Sequence, residues 1–202
     1  MNQEQIVIKN FELFKTQTAK IGSKAGKLLE FLDNNAERVM LAPASTKRDY
    51  TCCYPGGLVE HSLRVLQNIA KLRQVYNLTD SVSVPSAILV SLYHDIGKVG
   101  TENKDYYIDN NSDWHRDKLG IYYNVADRFQ HVPVSQLSLY TLSKNNVEID
   151  IDEWYAISAI GYKVQKEELP TQGEPWLSVI LNQAVKAACI QGKNKDKVIP
   201  VQ

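Results

Sequence analysis

A chain of 202 residues, 44% of them hydrophobic, is long enough to bury one sizeable core, and its length argues for a single domain with at most a small appendage. Its 23 lysines and arginines balance its 23 aspartates and glutamates, which excludes an overall electrostatic pull toward nucleic acid or an anionic membrane. The adjacent Cys52 and Cys53 and the distant Cys189 suit neither a disulfide framework nor zinc-ligand spacing, and no apolar run approaches the roughly 20 residues that cross a bilayer.

From Gln3 to Asp33, the residues Ile6, Ile8, Phe11, Phe14, Ile21, Leu28, Leu29 and Phe31 recur mostly at three- and four-residue intervals, which predicts one or two amphipathic helices broken near Gly22. Residues 1–45 are expected to be a helical scaffold packed on a main domain spanning 46–192. The stretch "LAPASTKRDYTCCYPGG", Leu41 to Gly57, concentrates Pro, Gly, Ser and Thr and reads as an ordered loop. A helix from Leu58 to Tyr76 follows, with Leu63, Leu66, Ile69, Ala70 and Leu72 on its apolar face and His61 in its first turn. Pro85 suits the first turn of the next helix, "PSAILVSLYHD", because proline there forgoes no needed hydrogen bond, and Gly97 suits its C-terminal cap. His94 and Asp95 therefore fall in the last turn.

In "DYYIDNNSDWHRD", aromatic and branched residues flank the turn signal "NNSD", so a short β-hairpin excursion is expected around residues 105–116. Further helices are predicted at Lys118 to Phe129, at Val134 to Lys144, and at Asp152 to Ile160, the last led by Asp150 or Asp152 as a cap with Glu153 in its first turn. "KEELPTQGEP" reads as a loop. "WLSVILNQAVKAACI" predicts a closing helix with Leu177, Ile180, Leu181, Ala184 and Ala188 on one stripe, followed by a polar tail at residues 193–202. The fold class is all-α, with that one short β excursion.

His61, His94 and Asp95 are candidate metal ligands. Two imidazoles and one carboxylate suit Mn, Fe, Co, Ni or Zn better than Ca or Mg, and three protein ligands leave coordination positions open for water and substrate. Neighbouring helical residues point roughly 100° apart, so His94 and Asp95 can share an ion only if it sits beside the helix end. Lys98, three residues beyond Asp95, is placed to offset phosphate charge. The competing reading of a lone His-Asp pair is a hydrogen-bonded helix end with no ligand.

The phrases "GGLVEHSLRV" and "LYHDIGK", in this order and spacing, resemble the HD superfamily of metal-dependent phosphohydrolases. The likeness extends more weakly through "LSLYTLSKNNVEIDIDEWYAI" and "EPWLSVILNQAVKAA", which are similar to small HD proteins of phages and prophages. The resemblance implies an HD-domain helical bundle whose metal is held by His61, by the His94-Asp95 pair and by a later aspartate, with Lys98 matching a lysine that often follows the pair. That later aspartate closes a phrase of the form His-x-Ala-Asp in the final helix. Here the matching run is "NQAV", Asn182 to Val185, and the whole segment from Trp176 to Gln191 contains no aspartate or glutamate. Asn182 could offer only a neutral amide oxygen, a weaker ligand than a carboxylate. The additional histidines of two-metal members are also missing, with Val134 and Ile160 near their positions. His115 and His131 are the substitutes on offer, each otherwise an ordinary surface or hairpin histidine.

Losing the carboxylate removes a charge that balances the cation, so affinity should fall. Two expectations of different classes follow. One is an HD-type phosphohydrolase acting on a nucleotide or related phosphoester at a weakened single-metal site, with Asp95 and Lys98 catalytic and Arg64 contacting substrate. The other is a lapsed HD-fold protein, metal absent, that binds a nucleotide or a protein partner without turnover, helped by Lys47, Arg48 and Tyr54 of the loop "STKRDYTCCY". Under either reading the chain is expected to be soluble and cytoplasmic, in the host cytoplasm if phage-encoded, with no membrane partner.

Overall fold

The computed structural model describes residues 1–101, 103–160 and 173–201. Helix α1 (Gln3–Thr18) starts at a reciprocal cap: the Asn2 side chain accepts from the Gln5 N–H at 2.8 Å, and the Gln5 side chain accepts from the Asn2 N–H at 3.0 Å. Its buried stripe is Ile6, Asn10, Phe11, Phe14 and Thr18. The break expected near Gly22 is a short 3-10 turn, Gly22–Lys24, leading into α2 (Ala25–Asn34) and then α3 (Ala36–Leu41), which lies beyond the periodic run ending at Asp33 and within the helical scaffold expected over 1–45.

Two buried helices form the centre. In α4 (Gly57–Val75) the first seven residues are all buried, and in α5 (Val84–Tyr93) the last seven are. A helix stretch apolar or buried on every side belongs inside the molecule rather than on its surface. The first residue of α4 is a glycine because a β-carbon there would press to 2.0 Å from the Cys52 carbonyl oxygen. α5 is capped by Ser83, whose side chain accepts from the Ser86 N–H, with Pro85 in its first turn as predicted.

The end of α5 differs from expectation. His94 is the capping residue, and Gly97 lies inside a following 3-10 turn, Ile96–Val99. Gly97 is required by a close approach. A β-carbon there would stand 2.8 Å from both Leu137 Cβ and the Ser138 backbone nitrogen, while the Gly97 N–H donates to Ser138 Oγ at 2.9 Å. The turn is thereby locked against α7 (Val134–Lys144).

The expected β excursion is a two-stranded antiparallel ladder of β1 (Tyr107–Asp109) and β2 (Tyr123–Val125), with Tyr107 opposite Val125 and Asp109 opposite Tyr123. Its second strand lies beyond 116, because Ser112 of "NNSD" does not turn the chain back but caps α6 (Asp113–Leu119). The helix predicted at Lys118 to Phe129 is therefore replaced by the end of α6, by β2 and by a 3-10 turn at Asp127–Phe129. Gly120, in the left-handed region at φ +64°, ends α6, and the aromatic and branched residues after it take the extended state.

Helix α8 (Ile151–Ala159) carries the Asp150–Glu153 capping box, and α9 (Trp176–Gly192) packs along α4 and α8. Residues 166–172 of the predicted "KEELPTQGEP" loop lie outside the described residues. The last residues do not behave as a free polar tail: Val198 and Val201 are buried, and Asn10 of α1 donates to the Ile199 carbonyl at 2.8 Å and accepts from the Val201 N–H at 2.9 Å. Among the described residues, no helix is long and apolar enough to cross a membrane.

Candidate metal centre

The first turns of α4 and the last turn of α5 meet in the core, and this brings His61, His94 and Asp95 together although 33 positions separate the histidines in sequence. One ligand atom from each lies within 4.8 Å of the others. Asp95 has left the helix, with φ −111° and ψ 10°, so its carboxylate can face the same point as His94. The requirement that any shared ion sit beside the helix end is met.

Both imidazoles are held by their inner nitrogens. His94 Nδ1 stands 3.0 Å from the Ser91 carbonyl, which only accepts, so Nδ1 carries the proton and Nε2 presents a lone pair. His61 Nδ1 stands 3.3 Å from Thr51 Oγ1, whose hydroxyl donates to Cys52 Sγ at 3.5 Å; the Cys52 thiol in turn points to Glu60 Oε1 at 4.0 Å. The carboxylate at the end of this chain accepts, which sets the donor order back to the His61 Nδ1 proton. Again Nε2 is left with a lone pair. Both Nε2 atoms are fully buried and have no hydrogen-bond partner. A buried polar atom left unpaired costs about 1–3 kcal/mol, and a bound metal ion could satisfy both of these at once.

The electrostatics keep the ring nitrogens available. Burial, and then the neighbouring His94, push the His61 imidazole from 6.5 down to about 3. Burial also lowers His94, against an opposing pull from Asp95, so both rings are neutral at pH 7. Burial disfavours the Asp95 charge, but the Lys98 ammonium, by its charge and its hydrogen bond, outweighs it and holds the carboxyl below its ordinary range. Lys98 Nζ donates to Asp95 Oδ2 at 2.6 Å and to the Ala44 carbonyl at 2.7 Å. Burial lowers the Lys98 pKa, and Asp95 more than offsets that, leaving the ammonium firmly protonated.

Of the residues singled out in sequence, His61, His94, Asp95 and Lys98 converge. Arg64 does not join them: its guanidinium donates twice to Glu60 Oε1, at 3.0 and 2.8 Å, and balances the charge of that fully buried carboxylate. Tyr54 is likewise internal, donating to Glu60 Oε2 at 3.1 Å, while Lys47 pairs with Asp49 and Arg48 with Asp196. His115 and His131 are exposed and do not stand in for a missing ligand. Val185 is half-buried against the apolar core, and no residue of α9 belongs to the ligand cluster. Sequence reasoning missed Thr51 and Ser91. Neither carries a motif signal, since each acts only through the ring it touches.

Two neutral imidazoles with buried, unbonded Nε2 atoms and an ionised carboxylate form a group that could hold a metal ion. No family model matches the chain, and neither a curated protein nor a solved structure matches it.

Proposed function

We propose that this chain is an HD-type metal-dependent phosphohydrolase acting on a nucleotide or related phosphoester, with His61, His94 and Asp95 as the ligands of a single weakly held metal. The observation that supports the reading is the pair of buried Nε2 atoms without a hydrogen-bond partner, gathered beside an ionised carboxylate. When bound, such an ion supplies Lewis acidity toward a phosphoryl oxygen and lowers the pKa of water. The protein's own part is to keep both rings neutral and oriented, to hold Asp95 ionised, and to offer the Lys98 ammonium to phosphate. With one carboxylate in the set rather than two, Mn, Fe, Co, Ni or Zn is held less tightly than in a site completed by α9. The setting of this activity is the cytoplasm, where the unpaired Cys52, Cys53 and Cys189 stay reduced.

Turnover decides the matter. The purified chain is screened against nucleotides and simple phosphomonoesters and diesters with added Mn, Co or Ni; the expected result is metal-dependent phosphate release that His94→Ala abolishes. A second reading, a lapsed HD-fold protein that binds nucleotide or protein without turnover, is favoured by one observation: the ion pair with Lys98 already neutralises the only carboxylate of the cluster. Nucleotide binding with no turnover and no metal under any of these conditions would establish that reading instead.

A further inference from the structure

Lys98 stands between the metal centre and a cleft. On the inner side it holds Asp95 and the Ala44 carbonyl. On the outer side it lines a cleft of about 680 Å³ together with Arg38, Pro43, Pro55, Tyr107, Asp109 and Tyr123. Arg38 is already committed, with Nε donating to Asp105 and a terminal nitrogen donating to the Val99 and Lys104 carbonyls. The cleft's acidic residues, Glu37, Asp105 and Asp109, are exposed, so the cleft without Lys98 does not attract an anion. Yet Lys98 is bonded to the one carboxylate a metal would need.

The charge count makes these two roles exclusive. The cluster's one carboxylate, Asp95, is matched by the Lys98 ammonium 2.6 Å away, so the two charges cancel. A dication entering such a neutral, largely buried site meets an ammonium already seated on its anionic ligand, and the repulsion is poorly screened there. The lysine stem is flexible and its three donors are not geometrically fixed, so the ammonium can turn outward while a planar guanidinium could not do so as readily.

We infer that Lys98 is an internal cation that competes with the metal for Asp95, and that metal entry releases its ammonium into the cleft, where it becomes a phosphate-binding group. The inference rests on the metal reading proposed above. It makes binding ordered: metal first, phosphate second, with no anion site on the metal-free chain.

The test uses the full chain and Co²⁺, titrated by its visible absorption, in the wild type, in Lys98→Met, which keeps the stem without the charge, and in Lys98→Arg, which keeps the charge. Lys98→Met is expected to bind Co²⁺ at least about tenfold more tightly than the wild type, and Lys98→Arg, whose guanidinium leaves Asp95 less readily, to bind it no more tightly than the wild type. In parallel, acylation of Lys98 in the wild type is followed by peptide mass spectrometry and is expected to accelerate several-fold when Co²⁺ is added. If Co²⁺ binds the wild type and is lost in His94→Ala, but Lys98→Met binds no more tightly, the inference fails and the metal reading stands. If no variant binds Co²⁺, both fail. Should Lys98→Met not fold, labelling of the wild type decides alone: a Lys98 reactivity unchanged by bound Co²⁺ overturns the inference.

Discussion

His61 is a polar side chain placed in the core at a cost. Its outer nitrogen has no partner, and its pKa is driven down from 6.5 to about 3, so the folded chain binds fewer protons there than the unfolded chain over that range. Stability is therefore greatest above pH 6.5 and falls as pH is lowered toward about 3, with His94 acting in the same direction. Asp95, whose carboxyl is held low, adds stability that is lost on acidification below its ordinary 3.8. Replacing the unpaired ring by an apolar group, His61→Leu, is expected to stabilise the metal-free chain by about 1–2 kcal/mol and to flatten the pH dependence of Tm between pH 6.5 and 3. Melting curves across that range check both; a variant less stable than the wild type with an unchanged pH profile would show that the imidazole is a satisfied structural group. At this scale the sequence was informative for the ligands, because His61, His94, Asp95 and Lys98 carry their chemistry in their side chains. It was silent about Thr51 and Ser91, whose roles depend on where a loop and a helix carbonyl fall in space.

At the scale of elements, the contrast lies between helices read from periodicity and segments fixed by contact. α7 and the start of α8 were legible because apolar spacing and the Asp150–Glu153 cap are local signals. The stretch from 118 to 129 was not, since Gly120 and the pairing of Tyr123–Val125 with Tyr107–Asp109 divide what looked like one helical run. Gly97 was misread as a cap for a related reason: its role is the approach of α7, which no local pattern encodes. Gly97→Ala should push the 96–99 turn off α7 at a cost of about 1–3 kcal/mol, seen as a lower Tm. Because this turn carries Lys98 and follows Asp95, metal affinity should fall with it. α9 offers the opposite experiment. Val185→Asp places a carboxylate on the helix that packs along α4, and it is expected to raise Co²⁺ affinity while lowering metal-free stability by about 1–3 kcal/mol. An affinity unchanged by this substitution would mean that residue 185 does not face the ion.

The whole molecule explains why a polar cluster survives at its centre. The all-buried stretches of α4 and α5 meet at the cluster, α9 covers α4, and the final residues tie α1 to α4 through Asn10 and Glu60, the latter accepting from the Ile199 N–H at 2.9 Å. This frame holds the His61 and His94 rings through Thr51 and Ser91, and Asp95 through Lys98. The fold class and the helical centre could be read from the sequence, since α4 carries a periodic apolar face and α5 is dense in apolar residues. The docking of residues 198–201 could not, because Val198 and Val201 are too few to set a period and their partners lie near the other end of the chain. Whether this frame takes a metal is the central question about the molecule. Elemental analysis of the chain loaded with Mn, Fe, Co, Ni or Zn and passed through gel filtration measures it most directly. About one equivalent per chain in the wild type and a small fraction of that in His94→Ala is predicted; equal, substoichiometric metal in both proteins would contradict the account.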